Sequence, residues 1–447
     1  TGIEYAIIGY RYGTFIYDIS SSSSPILVSD IVGPSGGDYY YHRDYKTYGD
    51  YLYIVNEMTG TDVGMQVVDL SPLPNGNPIQ LDTYDNVNQS HNLWIDENSG
   101  YAFIEHYYGD NIHIADLSNP DNPSYGGTFG YLGDSCHDIF TRDNIAYVSE
   151  GYNSRYGIYD ISNFNDIEHL ATIPVVGYAH NAWLNDSGTH LITTEETTDI
   201  PIKIWDISDL NNINMVSQYL GENNLAHNVH VKNDQLIISH YTTGVKIVDI
   251  YDPARPVEIA AYDTYTNNDN SGFYGCWGAY PFTDNNYIYA SDMQYGLFVL
   301  DYDWIEAGWV SGYVYDIDGN VISGSLRSVL NQKTFSVNNG YYELGFAEGD
   351  QAFEVLSNNQ VLGEVIIPIL PHQDSTTDLY VGIDDSDFGD INQDEVINIL
   401  DIIIVVNIIL DSIDVTNLEL ILSDVNNDDQ INVLDIIAIV NIILDTI

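Results

Sequence analysis

FIYDIS (15–20), MQVVDLS (65–71), IHIADLS (112–118), YGIYDIS (156–162), IKIWDIS (202–208), VKIVDIY (245–251) and LFVLDYD (297–303) repeat one pattern. An apolar run reaches Asp, then an apolar residue, then a turn. The aspartates Asp18, Asp69, Asp116, Asp160, Asp206, Asp249 and Asp301 recur at intervals of 43 to 52 residues. Between them lie short alternating runs, about four to a period, separated by Gly, Asn, Asp and Pro turns. Such alternation argues strands. A period near 45 residues holding four strands is the signature of a β-propeller, here with seven blades across 1–304. The first copy starts at Glu4 with what should be a second strand. Its innermost strand is therefore expected upstream of Thr1 or from a later segment such as 305–315.

The stretches TGIEYAIIGYRYGTFIYDIS (1–20), GMQVVDL (64–70), AHNAWLN (179–185), AHNVHVKNDQLIISHYTTGVKIVDI (226–250), CWGAYPF (276–282) and YIYASDMQYGLFVLD (287–301) carry a family likeness. They resemble the LVIVD-repeat propellers and, more closely, the secreted bacterial choice-of-anchor B family. The resemblance covers most of 1–303. It implies a propeller joined to a variable anchoring segment, a surface or extracellular location, and no established reaction.

The predicted inner strands open with His followed by Asn or Asp: His91-Asn92, His137-Asp138, His180-Asn181 and His227-Asn228. His42 and Trp277 hold the corresponding places in two further blades. The next strands end in Glu57, His106, Glu150, Glu195 or Glu196, His240 and Asp292. Inner strands converge on a central channel, so His91, His137, His180 and His227 are expected as a ring at one mouth. Two readings stand. Imidazole with carboxylate suits a transition metal or a ligand on the axis. Alternatively each His bonds a neighbouring blade and locks the ring. Repetition from blade to blade favours the lock, because catalysis needs one asymmetric constellation.

No nucleophile elbow, phosphate-binding glycine loop or zincin motif occurs. No catalytic residue is assigned, and the chain reads as non-enzymatic. The clusters Asp38-Tyr39-Tyr40-Tyr41-His42 and Glu105-His106-Tyr107-Tyr108 are candidate glycan-stacking surfaces. Asn88 and Asn185 stand in Asn-x-Ser acceptor sequences.

The chain of 447 residues carries 66 acidic side chains against 11 Lys plus Arg, a formal charge of -55. After Lys333 there is no Lys or Arg, while 22 acids follow. Such a surface repels nucleic acid and anionic membranes and attracts divalent cations. Two cysteines, Cys136 and Cys276, make no disulfide framework and are expected as buried thiols. There is no run of 18 apolar residues and no leader in the sequence, as in a secreted chain whose leader has been removed.

Residues 309–382 read as seven short strands with Asp-Gly and Asn-Gly turns, a small β-sandwich. The stretches VSGYVYDIDGN (310–320) and NNGYYELGFAEGDQAFEV (338–355) resemble carboxypeptidase-regulatory-like domains, which act as spacers in secreted proteins. Bounds of 305–382 are expected for this sandwich and 383–388 for a brief acidic linker.

The segment 389–447 holds a duplicated twelve-residue acidic loop. Asp390, Asn392, Asp394, Val396, Asn398 and Asp401 stand at positions 1, 3, 5, 7, 9 and 12, and Asp424, Asn426, Asp428, Gln430, Asn432 and Asp435 repeat them 34 residues on. Oxygen ligands at this spacing suit calcium, with position 7 giving its backbone carbonyl. Each loop runs into an apolar segment ending Val-Asn-Ile-Ile-Leu. The pair resembles the dockerin module, an α-helical EF-hand-like unit that links secreted proteins to cohesin-type receptors. The resemblance implies two Ca2+ ions. Positions 10 and 11 hold Ile399-Leu400 and Val433-Leu434, where many dockerins place small polar residues for cohesin contact. That departure points to a partner other than a standard cohesin.

The helices are apolar nearly all round, so a face beyond the helix–helix contact needs a cover. Ile403, Val406, Ile409, Ile437, Val440 and Ile443 are the expected partner interface. The chain as a whole is thus expected to be mostly β and extracellular, an assembly protein docking onto a cohesin-like domain or the next copy, as a homo-oligomer, filament or tube. The alternative is a secreted glycan-binding protein or enzyme that uses the channel mouth and is tethered by its 389–447 segment.

Overall fold

The computed structural model describes residues 3–34, 42–58, 63–105, 112–130, 136–221, 225–267, 270–382, 387–426, 428 and 430–445. The chain divides into two compact units, Thr1–Trp304 and Ile305–Ile447.

The first unit is a succession of antiparallel meanders. Among the described residues seven sheets follow one another: Tyr5–Tyr10, Gly13–Asp18 and Ile26–Val32; Arg43–Tyr48, Tyr51–Asn56, Gln66–Asp69 and Ile79–Gln80; Leu93–Asp96, Tyr101–Ile104, Ile112–Asp116 and Ser124–Phe129; Asp138–Arg142, Ile145–Ser149, Arg155–Asp160 and Glu168–Pro174; Ala179–Leu184, His190–Glu195, Ile202–Asp206 and Asn214–Tyr219; Val229–Lys232, Gln235–Ser239, Val245–Asp249 and Val257–Tyr262; Cys276–Tyr280, Tyr287–Asp292 and Gly296–Asp301. Five have four strands, and the first and last have three.

The repeated aspartates explain the recurring turn. The carboxylate of Asp18 accepts the amide N–H of Ser20 at 2.8 Å, and Asp69, Asp116, Asp160, Asp206 and Asp249 each accept the amide two residues on. This is an Asx-turn, in which a side chain replaces a backbone turn bond. The bonds hold Asp18, Asp160 and Asp206 below the ordinary aspartate range.

Apolar clusters lie between successive sheets. One joins Tyr53, Val55 and Val67 of the second sheet to Leu93, Ala102 and Ile104 of the third. Others join Ile114 to Ile139, Tyr156 to Ala182, and Ile192 to Val229. Middle strands such as Gln235–Ser239 are therefore buried on both faces, while the outer strand Asn214–Tyr219 is largely exposed.

Polar joints tie each sheet to the next. Arg43 Nη1 donates to Tyr10 O at 2.7 Å, Leu93 N to Asp44 Oδ2 at 2.9 Å, and Asn92 Nδ2 to His137 O at 2.7 Å. Asn181 Nδ2 donates to Asp138 Oδ2 at 2.7 Å, Thr194 Oγ1 to His227 O at 2.7 Å, and Lys232 Nζ to Pro281 O at 2.7 Å. From the seventh sheet, Asn285 Nδ2 reaches Glu4 Oε2 at 2.5 Å, and Tyr287 OH accepts from Ser22 Oγ at 3.2 Å. The circuit returns to its start, a propeller-like arrangement.

The segment 305–315 does not complete the first sheet. Ala307–Asp316 pairs instead with Tyr341–Ala347 and, in parallel, with Asp374–Thr376 and Leu379–Val381. A second sheet follows the order Thr334–Val337, Gly324–Ser328, Gly349–Ser357, Gln360–Ile369. The region thus has eight strands rather than the seven expected. The additional strand is Asp374–Thr376, and between it and Leu379–Val381 the Asp378 carboxylate takes the Tyr313 amide at 2.9 Å.

The helices are α1 (Ile399–Ile409), α2 (Asn417–Ser423) and α3 (Val433–Asp445). Asn398 caps α1 and Thr416 caps α2, each in a reciprocal box with Asp401 or Glu419. Ile391, Val405, Leu418, Leu422 and Ile439 form their buried core. Of the acidic linker, residues 383–386 lie outside the described residues.

Candidate functional site

Among the described residues the two acidic loops repeat the same hydrogen bonds. In the first, Asp390 Oδ1 accepts Asp394 N at 3.1 Å, Asn392 Nδ2 donates to Asp394 Oδ2 at 3.0 Å, and Asn398 Nδ2 donates to Val396 O at 2.9 Å. In the second, Asp424 Oδ1 accepts Asp428 N at 3.1 Å, Asn426 Nδ2 donates to Asp428 Oδ2 at 3.1 Å, and Asn432 Nδ2 donates to Gln430 O at 2.9 Å. Asp401 takes the amides of Asn392 at 3.2 Å and Asn398 at 2.8 Å, and Asp435 those of Asn426 at 3.3 Å and Asn432 at 2.8 Å.

Asp401 and Asp435 are both 0% exposed. A buried carboxylate is costly without a counter-charge, and no Lys or Arg follows Lys333. Three carboxylates and the carbonyl oxygens of two amides and position 7 form a hard-oxygen set around each loop. That set fits a calcium-class cation. Glu395, at the position where EF-hands use Gly, adopts φ +66°.

The register of the duplication continues into the helices. Val405 and Ile439 are fully buried at equivalent positions, and Ile403 and Ile437 are both 50% exposed. Ile409 and Val440 are also exposed, Val406 is half-buried, and Ile443 is half-buried against the core. Ile399 (68% exposed), Leu400, Val433 (61% exposed) and Leu434, the loop positions 10 and 11 at which many dockerins contact cohesin, are open to solvent, and so are Leu410 and Leu444, which sequence reasoning missed. Ile399, Ile403, Val406 and Leu410 lie at i, i+4, i+7 and i+11, one helical face. That spacing was present in the sequence, but it points to this face only once α1 is seen to begin at loop position 10.

The histidines also meet. Ring centroids run His42 to His91 at 3.7 Å, His91 to His137 at 4.7 Å, His137 to His180 at 4.0 Å, His180 to His227 at 4.5 Å, His227 to Trp277 at 4.2 Å and Trp277 to His42 at 5.3 Å. The chain of six rings closes on itself. His137 Nδ1 donates to His180 O at 2.8 Å, and His227 Nδ1 to Trp277 O at 2.5 Å. These two bonds run from one sheet to the next as the lock reading expects, whereas Nδ1 of His42 and of His180 has no hydrogen-bond partner among the described residues.

Burial pushes His42, His137 and His180 well below the ordinary histidine range, and His227 down to about 3. His91 differs. Burial lowers it, but the Glu57 carboxylate 2.6 Å from Nδ1, helped by Glu105 and Glu196, raises it overall. Burial also lifts Glu105 to about 7.

The second polar set is mostly consumed locally. Glu150 accepts from Arg155 and Tyr159, Glu195 pairs with Lys203, His240 bonds Thr243, and Asp292 accepts from Thr264. His106 and the residues 38–41 and 106–108 of the tyrosine clusters lie outside the described residues. Asn185 is buried and bonded to Ser187 and Thr189, so it is no accessible glycan acceptor. Cys276 is buried, whereas Cys136 is only half-buried, in the loop before its strand.

Residues 388–444 match the dockerin type I domain. Dockerin domains of this type bind calcium and dock onto cohesin partners. No curated protein matches the chain. Among solved structures, a functionally unknown protein from Desulfotomaculum acetoxidans is 14% identical, with 60% of this chain and 83% of that one covered and a TM-score of 0.44. A protein from Lactobacillus plantarum is 12% identical, covering 67% and 95%, with a TM-score of 0.48. The periplasmic gluconolactonase of Pseudomonas aeruginosa is 10% identical, covering 57% and 78%, with a TM-score of 0.47. Likenesses at this level carry no argument about activity. Among the described residues no helix is long and apolar enough to cross a membrane, which says nothing of a β-barrel.

Proposed function

We propose that this protein is an extracellular, non-enzymatic assembly component whose dockerin domain docks onto another protein when calcium is bound. The observation that carries the reading is the duplicated loop leading into a duplicated exposed apolar stripe. Asp390, Asn392, Asp394, Val396, Asn398 and Asp401 would hold one ion, and Asp424, Asn426, Asp428, Gln430, Asn432 and Asp435 a second. Calcium supplies the counter-charge for Asp401 and Asp435 and so fixes the start of α1 and α3.

The seven sheets would then be the blades of a propeller of the LVIVD-repeat, choice-of-anchor B kind, and the eight-stranded region a spacer. The partner presents an apolar surface matching Ile399, Ile403, Val433 and Ile437, either a cohesin-like domain or the next copy of this chain. Contact between copies through unlike surfaces is heterologous and propagates into a filament or tube.

Light scattering of the full chain with calcium, then with chelator, tests this together with a pull-down on immobilised cohesin. Calcium-dependent assembly or capture, abolished by Ile403→Asp with Ile437→Asp, is expected. Monodisperse protein that captures nothing with calcium present would overturn the reading.

A further inference from the structure

The sheet-to-sheet bonds of the histidine ring use Nδ1 and leave other ring nitrogens over. His180, on the inner strand Ala179–Leu184, and His227, just before Val229–Lys232, are both 2% exposed. Between them stands Glu196, one residue beyond the strand His190–Glu195. Glu196 Oε2 lies 3.6 Å from His180 Nε2, and Glu196 Oε1 lies 3.9 Å from His227 Nε2. Both distances exceed a hydrogen bond. His227 Nε2 is buried and has no hydrogen-bond partner among the described residues.

We propose that His180 Nε2, His227 Nε2 and one Glu196 oxygen form a binding site for a divalent transition metal of the zinc class, distinct from the calcium loops. All three ligand atoms lie within 4.8 Å of one another. Two ligands about 2.1 Å from a tetrahedral ion stand roughly 3.4 Å apart, so closing the site draws the groups together by up to about 1.4 Å, within reach of side-chain rotation. Two imidazoles and one carboxylate suit zinc, cobalt, manganese or iron better than calcium, which prefers oxygen alone.

Two of the three ligands have supporting bonds of the form expected around such a site, while His180 Nδ1 has no partner among the described residues. His227 Nδ1–H donates to the Trp277 carbonyl, which directs the Nε2 lone pair toward Glu196. The Tyr241 hydroxyl donates to Glu196 Oε1 and orients the carboxylate. Glu196 is partly exposed, so the site has an opening to solvent.

The companion group His42, Glu57 and His91 has the same composition but a different state. Its His91–Glu57 pair is already closed at 2.6 Å, so those two atoms are spent on each other. The asymmetry singles out one position in an otherwise repeated ring.

The test uses the full chain saturated with calcium, so that the acidic loops do not compete. Equilibrium dialysis against Zn2+ followed by elemental analysis reads stoichiometry, and Co2+ gives a visible spectrum that reports nitrogen ligation. One tightly held equivalent is expected in the native protein. Glu196→Gln, which keeps volume and an acceptor for Tyr241, and His227→Asn should each weaken it at least tenfold, while His169→Asn, on the outer strand Glu168–Pro174, should not. Retention of fold in each variant is read by its melting transition. No stoichiometric Zn2+ in the native protein, or undiminished binding in Glu196→Gln, would overturn the proposal.

Discussion

Replacing Asp401 by Asn probes the calcium loop at its most constrained atom pair. The carboxylate is fully buried and accepts Asn392 N at 3.2 Å and Asn398 N at 2.8 Å. An amide keeps one oxygen and turns an NH2 toward the other backbone N–H. One charge-assisted bond worth about 1.5–3 kcal/mol is lost, and the facing amide, part-buried, loses its acceptor at up to about 1–3 kcal/mol. If roughly 3 kcal/mol of this reaches the binding equilibrium, calcium affinity at that loop falls about a hundredfold, at 1.4 kcal/mol per decade. Asp435→Asn should behave as its twin, because the equivalent contacts are 3.3 and 2.8 Å. Calorimetric titration of the full chain reads each affinity, and hydrogen exchange of α1 and α3 reads the folding that follows. Affinity within twofold of the native value, or twins that differ by more than tenfold, would refute the reasoning.

The Thr1–Trp304 unit should lose stability on acidification from pH 7 to 5. His227, His230 and His240 stay neutral when folded, held by burial at about 3, 4 and 4, yet protonate near 6.5 when unfolded. The unfolded chain therefore binds more protons, each such His costing up to about 1.4 kcal/mol per pH unit below 6.5. Burial raises Glu105 to about 7 and Asp138 to about 6 and lifts Glu195 and Glu196, and Glu57 raises His91, all of which work in the opposite sense. With His42, His137 and His180 also lowered, the histidines prevail. A urea midpoint at pH 5 equal to that at pH 7 would contradict this. Lys203→Met strands the Glu195 carboxylate, itself 1% exposed and paired with Lys203. A loss of about 3–5 kcal/mol is expected, largely recovered by adding Glu195→Gln, and urea denaturation of both variants decides it. Gly312→Ala would set a Cβ 1.9 Å from Thr377 O, at the parallel junction of the eight-stranded region. A melting transition lowered by several degrees is expected for the Ile305–Ile447 unit, and an unchanged one would show that the junction yields.

How much was legible depends on how local the cause was. The six Asx-turns at Asp18, Asp69, Asp116, Asp160, Asp206 and Asp249 could be read directly, since such a turn is built from residues two apart. The loop positions were legible for the same reason. Ile409 and Ile443 occupy equivalent positions, yet one is exposed and the other packs on the core. The repeat alone could not tell them apart, because the two helices meet different neighbours. By sequence, 305–315 suits either the sandwich or ring closure, and the pairing of Ala307–Asp316 with Tyr341–Ala347, Asp374–Thr376 and Leu379–Val381 decides between them.

By itself, the sequence determined a run of repeated strands ending in Asp, two oxygen-lined loops and a ring position for each inner-strand histidine. These follow from spacing along the chain. Only the tertiary structure decided that Glu196 faces His180 and His227 while Glu195 turns to Lys203. Successive residues at a strand end point to opposite faces, and which face meets the histidine ring depends on register and neighbouring sheets.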